Sequence, residues 1–271
     1  MKPKYFTASY GDFIKFDKKP NEDFYLLSKK FSIFAVADGV TQSHYSNGDC
    51  VFPEGAKEAA EIFCRATVEY LEENLDLKSA FNFANEKIKE LNEKYGIDKK
   101  MDYVIYDWFD AVGAAGFILE NKLFYGYVGD CGLIIFDSNN KKKFQTKDAV
   151  APAVKKFRET YKNWKKFSKN QRTELMHKDF RNNPNKKGYG SFTGEKSVEN
   201  YYKFGAKDLA KDDLIVFYTD GTAKLLKDKN FIEILRKKNK KNLDKFILKK
   251  AEENEQAYGC DRTFIAVKIE A

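Results

Sequence analysis

Phe31-Ser32-Ile33-Phe34-Ala35-Val36-Ala37 is a nearly continuous apolar run of aromatic, β-branched and small residues, and it stops at Asp38-Gly39. Such a run, with almost no polar alternation, is the pattern of a strand covered on both faces. Comparable runs recur at 122–128, 133–136, 214–219 and 264–269, each bounded by Gly, Asp or Asn. The core is therefore strand-rich. Between the first two runs lie two consecutive helical segments, 54–75 and 77–95. In the first, Ala59, Phe63, Ala66 and Tyr70 follow the i, i+4, i+7, i+11 spacing of one buried stripe. Two later helices are predicted, one within 151–178 and one over about 230–254, both Lys-rich on their outer faces. Helices that arrive in pairs argue against a doubly wound parallel sheet and for an α+β fold of antiparallel sheets with segregated helices. Asn182-Asn183-Pro184-Asn185-Lys186-Lys187-Gly188 reads as a surface loop.

With 271 residues, 42% hydrophobic and 15% aromatic, the chain has enough apolar material for one packed domain spanning 1–271. No apolar run approaches the ~18 residues of a membrane span, and the N-terminus lacks an apolar signal core. A cytoplasmic protein that does not enter a membrane is expected. Cys50, Cys64, Cys131 and Cys260 form no Cys-x-x-Cys pair, and His44 and His177 stand alone in sequence, which speaks against zinc or a disulfide scaffold. The net charge of +8 is regional: residues 139–188 hold 16 Lys or Arg against 4 Asp or Glu, a local +12, so the remainder sums to −4. Clustered cations can bind nucleic acid. Here Phe157, Tyr161, Trp164 and Phe167 fall at spacings that suit helix packing better than base stacking, so a solvated helix face is the favoured reading.

Asp38, Asp130 and Asp220 each close an apolar strand, and Asp261 opens the last one. Carboxylates gathered at strand mouths sit on rigid elements and repel one another unless a cation neutralises them. Oxygen donors without neighbouring His or Cys select hard ions, Mg²⁺ or Mn²⁺. One Asp-Gly pair would be read as a turn. Two pairs, Asp38-Gly39 and Asp220-Gly221, together with Asn21-Glu22-Asp23 and Cys260-Asp261, form a pattern harder to reach by chance, and the glycines would let the backbone turn away from each strand.

These motifs, in this order and over nearly the whole chain, resemble the PPM (type 2C) metal-dependent Ser/Thr protein phosphatases. Asn21-Glu22-Asp23 and Val36-Ala37-Asp38-Gly39-Val40 resemble the first two acidic motifs. Gly113-Ala114-Ala115 with Tyr127-Val128-Gly129-Asp130-Cys131 resembles the central strand pair, and Tyr218-Thr219-Asp220-Gly221 and Asp261-Arg262-Thr263 resemble the late metal motifs. Gly188-Tyr189-Gly190-Ser191-Phe192-Thr193-Gly194-Glu195 is similar to a prokaryotic branch.

The resemblance implies a four-layer α-β-β-α sandwich of two antiparallel sheets flanked by paired helices. It implies two Mn²⁺ or Mg²⁺ ions held by Asp23, Asp38, Asp220, Asp261 and the Gly39 carbonyl, with Glu22 acting through water and Asp130 a candidate for a third metal. A metal-bridging water would attack the phosphomonoester of a phosphorylated protein directly, without a phosphoenzyme, and a monomer is expected. Where relatives carry a phosphate-clamping arginine this chain has Lys18, which brings charge without the bidentate fork. His44 follows the second motif as a candidate general acid, although a lone His is more often solvated or structural. Lys18 and the altered segment after Gly39 motivate an alternative, a catalytically weak module that binds phosphoproteins. A nucleic-acid-binding protein is the third reading.

Overall fold

The computed structural model describes residues 2–12, 20–40, 51–185 and 187–270. Its elements run β1 (Lys2–Tyr10), β2 (Asp23–Leu27), β3 (Ile33–Gly39), α1 (Gly55–Asn74), α2 (Leu77–Lys94), β4 (Ala111–Leu119), β5 (Lys122–Val128), β6 (Gly132–Phe136) and β7 (Lys142–Gln145). They continue with α3 (Ala151–Thr160), α4 (Lys169–Phe180), β8 (Lys203–Asp208), β9 (Leu214–Tyr218), α5 (Asp220–Ala223), α6 (Lys229–Lys237), α7 (Lys240–Glu253), α8 (Glu255–Tyr258) and β10 (Arg262–Glu270).

Two five-stranded sheets form, in the orders β1-β10-β9-β6-β7 and β2-β3-β4-β5-β8, with every pairing antiparallel. Strand alternation distributes the apolar side chains between layers. In β3, Ile33, Ala35 and Ala37 pack with Phe63, Phe81 and Ile88 of α1 and α2, whereas Phe34 and Val36 face Ile215, Phe217, Ile265 and Val267 of the other sheet. Phe34 meets Phe217 edge-on, with ring centroids 4.8 Å apart. The outer face of β9 and β10 carries Val216, Tyr218, Phe264 and Ala266 against Phe231, Leu235, Leu243 and Ile247 of α6 and α7. The expected α-β-β-α sandwich is therefore present, because both central sheets are apolar on both faces.

Where one helix is expected within 151–178 and one over about 230–254, the structure has two in each stretch. Lys238 takes a left-handed φ of 51° and ends α6, and the Asn239 side chain accepts from the Asn242 amide to start α7. Ser168 opens α4 with a capping box, its hydroxyl accepting from the Gln171 amide while Gln171 reaches back. Both stops lie in polar Lys/Asn sequence, where a capping side chain outweighs helix periodicity. Replacing Ser168 with Ala is expected to lower stability by about 1 kcal/mol, read by urea unfolding. α3 and α4 share their own apolar cluster of Ala153, Phe157, Phe180 and Tyr189, with Tyr161, Trp164 and Phe167 packed against it. The aromatic spacing in the basic segment thus serves packing.

The 182–188 segment is not wholly a surface loop. Asn182 is buried with φ 51°, and its amide donates to the Ser191 carbonyl (2.9 Å) and Thr193 Oγ1 (3.0 Å), while Asn185 and Lys187 are exposed. Turn-forming composition hid a residue whose side chain replaces backbone pairing in the interior.

Candidate active site

β2 and β3 pair so that Asp23 stands directly opposite Asp38. Each continues the parity of residues that face the other sheet, Tyr25 and Leu27 in β2 and Phe34 and Val36 in β3. Alternation therefore aims both carboxylates between the sheets, at the end where the apolar core stops. From the opposite sheet, Thr219 just past β9 and Thr263 in β10 continue the inward parity of Phe217 and Ile265. Thr219 Oγ1 donates to Asp23 Oδ2 at 2.8 Å and accepts from the Thr263 amide at 3.0 Å, joining the two sheets at the site. Asp261 precedes β10 and accepts from the Glu22 amide at 3.0 Å, while the Glu22 carbonyl accepts from the Gly39 amide at 3.1 Å. Asp220 begins α5, and Asp130 lies in the crossover from β5 to β6.

The glycines of the two Asp-Gly pairs serve close approach rather than a turn. Neither has a left-handed φ, and Gly39 is the last residue of β3. A Cβ on Gly39 would stand 2.2 Å from the Ala56 carbonyl oxygen, and one on Gly221 would stand 2.0 Å from that of Asp261. The expected turn away from the strand is thus replaced by backbone-to-backbone contact that only glycine permits.

Asp38, Gly39, Asp130, Asp220 and Asp261 line one cleft of about 470 Å³, and α4 supplies Arg172, Met176 and His177 to its wall. Asp23 and Glu22 are buried behind it. Burial pushes the Asp23 carboxyl up to about 8, with Asp261 and Asp220 adding to the rise against the Thr219 hydrogen bond. Burial and then Asp220 push Asp130 up to about 7. Asp38 is raised well above the usual carboxylate range by burial first, then by Asp23, Asp220 and Asp130. Each of these acids is pushed toward its neutral form by burial first and by neighbouring carboxylates second, the electrostatic condition that a cation relieves.

Among the described residues no three His, Cys, Asp or Glu side chains already converge on one point closely enough to hold an ion; the carboxylates line a cleft and do not close a cage. The donor set nevertheless fits a hard cation. Its atoms are oxygens, and Asp23 Oδ1 is buried without a hydrogen-bond partner among the described residues. Lys18 and His44 lie outside the described residues. Cys131 is buried with its Sγ against the Val112 carbonyl, and burial raises its thiol, so it packs as a small apolar residue.

These raised values fix a sign. A carboxyl whose folded pKa exceeds its unfolded value of about 3.9 holds its proton more tightly in the fold, so its contribution to stability is full below that value and is lost as pH climbs to the folded pKa. With Asp23 and Asp130 at about 8 and about 7, the chain in chelator should lose stability between about pH 4 and pH 8. Urea unfolding at fixed ionic strength reads this directly, and a profile that rises over the window contradicts it.

Reasoning from the sequence missed a second polar cluster. Arg181, just past α4, donates to Asp107 through Nη2 (2.6 Å) and Nη1 (3.1 Å), and Nη1 lies 3.5 Å from Asp110 Oδ2. His177 Nδ1 bonds the same Asp107, and Ser191 Oγ donates to Asp110 at 2.7 Å. All five residues are buried. Burial would raise Asp107, but Arg181 and then His177 outweigh it and hold the carboxyl well below the usual range. Asp110 is pushed up to about 6, by burial first. The rule that found Asp38 would have found Asp110, which stands immediately before the apolar strand β4. Nothing in sequence signals its pairing with Arg181, 71 residues away.

No protein-family model matches the chain, and no curated protein sequence does. Solved structures do. The Mycobacterium tuberculosis serine/threonine phosphatase PstP/Ppp is similar at TM-score 0.61 and 16% identity, covering 99% of each chain. The catalytic domain of PstP in complex with 2 manganese ions gives 0.62 at 14%, again covering 99% of each. The chain has the fold of these serine/threonine phosphatases. Stp1 from Staphylococcus aureus shares the phosphatase fold at TM-score 0.59 and 15% identity, over all of this chain and 95% of its own. RsbX in complex with magnesium gives 0.54 at 14%, over 99% and 96%. Among the described residues no helix of this phosphatase-fold chain is long and apolar enough to cross a membrane.

Proposed function

We propose that the chain is a cytoplasmic, monomeric phosphatase of phosphoserine and phosphothreonine proteins, one domain over 1–271, that works with two Mn²⁺ or Mg²⁺ ions. The carrying observation is the shared cleft, where Asp38, Asp130, Asp220 and Asp261 arrive from both sheets and α5, with Asp23 behind them and its Oδ1 buried without a partner. The similarity in fold to PstP, seen with manganese, and to RsbX, seen with magnesium, supports the same reading.

Asp23, Asp38, Asp220, Asp261 and the Gly39 carbonyl would hold the two ions, Glu22 would act through water, and Asp130 is assigned to a third. Divalent cations there would neutralise phosphate charge and activate water for in-line attack. The protein's own part is positional. Thr219 fixes Asp23 Oδ2 and leaves Oδ1 free to turn to a cation. Arg172, on the cleft wall, offers a planar guanidinium to phosphate oxygens. The buried Cys131 is no nucleophile, so direct attack by water suits the site.

Hydrolysis of p-nitrophenyl phosphate and of a phosphoserine peptide, measured with Mn²⁺ and again with excess EDTA, tests the proposal. Turnover should depend wholly on the metal, and activity that survives EDTA contradicts it. Thr219→Val should weaken Mn²⁺ binding by roughly 10- to 100-fold in calorimetry, the usual consequence of losing the group that orients a ligand.

A further inference from the structure

We propose that His177 donates the proton to the leaving oxygen of the phosphoester, a role that rests on the phosphatase reading above. α4 turns one face to the acidic cleft, and Arg172, Thr173, Met176 and His177 on that face line it. His177 Nδ1 is committed to Asp107. That carboxylate is itself immobilised, accepting two bonds from Arg181 and one from the Trp108 amide at 2.9 Å. The ring is thus fixed in orientation, with Nε2 the nitrogen left to meet what enters the cleft. A carboxylate-oriented imidazole on the wall of a reaction cleft is the arrangement that acid–base catalysis uses.

The charged and titratable groups around the ring are Asp107, Asp110 and Arg181 behind it, Arg172 one turn earlier on α4, Tyr189 beside the cleft, and the acidic cluster opposite. Arg181 offsets one of the two buried carboxylates.

A serine or threonine alkoxide is too basic to leave unassisted. As water oxygen bonds to phosphorus, the bond from phosphorus to the side-chain oxygen breaks and its electron pair stays on that oxygen. The oxygen takes the proton from His177 Nε2, giving a neutral alcohol. The proton released by the attacking water restores the imidazolium, so one water is consumed and alcohol and inorganic phosphate are the products.

The test compares a phosphoserine peptide with p-nitrophenyl phosphate in Mn²⁺, because p-nitrophenolate leaves without a proton. For His177→Gln the fall in kcat on the peptide should reach ~10²-fold or more and exceed the fall on the aryl ester at least ~10-fold. Asp107→Asn, which keeps a hydrogen-bonding side chain but favours the wrong tautomer, should show the same inequality. Calorimetry should find Mn²⁺ affinity of His177→Gln near that of the wild type.

Equal losses on both substrates overturn the proposal, as does undiminished turnover of the peptide. Collapse of Mn²⁺ binding overturns it too, since it would make the residue a metal ligand. Rates along a series of aryl phosphates extend the test: the loss in His177→Gln should grow as the phenol becomes less acidic, and a loss that stays constant along the series overturns the proposal. Failure of the underlying phosphatase reading looks different, because the wild type would then hydrolyse neither substrate.

Discussion

Asp38→Asn should abolish Mn²⁺-dependent hydrolysis while making the protein harder to melt in chelator. The two effects share one cause. Asp38 stands opposite Asp23 in the β2–β3 ladder, and burial with Asp23, Asp220 and Asp130 raises its carboxyl far above the ordinary range. Without a cation the ionised group opposes the fold, and like charges directly across an antiparallel pair are unfavourable in themselves. An amide of the same shape removes that repulsion. The melting temperature in EDTA at about pH 8 should rise, by roughly 2–4 °C for each kcal/mol relieved.

With metal the sign inverts, because in the proposed centre the same carboxylate would face both ions. Removing even a group that merely orients a ligand loses roughly 10- to 100-fold. Replacing the ligand itself should lose more than ~10²-fold in kcat/KM. Activity within ~10-fold of the wild type, or a lower melting temperature in chelator, would contradict this account of Asp38.

The second large effect concerns stability. Arg181→Met leaves Asp107 and Asp110 in the interior without their guanidinium, and breaking a buried ion network from one side costs about 3–5 kcal/mol. At 2–4 °C per kcal/mol this is a fall of roughly 10 °C in melting temperature. The triple variant Arg181→Met with Asp107→Asn and Asp110→Asn should recover much of the loss, since the penalty arises from the stranded charges and not from the missing pair. A single variant that melts with the wild type would show that water reaches these carboxylates. His177 leans on Asp107, so the triple variant should regain stability without regaining turnover of the phosphoserine peptide.

What the sequence revealed follows from which interactions are local. Phe31 to Ala37 announces β3 because a strand between two apolar layers has no polar face to interrupt it, and α1 and α2 are legible because one side meets solvent. The quiet strands are edges: β1, β7 and β8 pair on one side only and carry exposed Lys and polar positions, so periodicity there is diluted. Asp23, Asp38, Asp130, Asp220 and Asp261 could be found because each sits where an apolar run begins or ends. Thr219 could not, since its role depends on Asp23, which reaches it only when the two sheets stack. The Asp107–Arg181–His177 cluster was hidden for the same reason, Asp107 lying 70 residues from His177 and 74 from Arg181. The breaks inside 151–178 and 230–254 were legible only as caps, at Ser168, Lys238 and Asn239, within sequence whose helical composition continues across them.

The central claim is that the aspartates at the end of the sandwich hold two cations for attack on a phosphoester. Anomalous scattering from crystals grown with Mn²⁺ tests it most directly. Two peaks in the cleft, one contacted by Asp23 or the Gly39 carbonyl, the other by Asp220 or Asp261, and both by Asp38, are the result expected. No peak in the cleft, or manganese bound only away from Asp38, would contradict it.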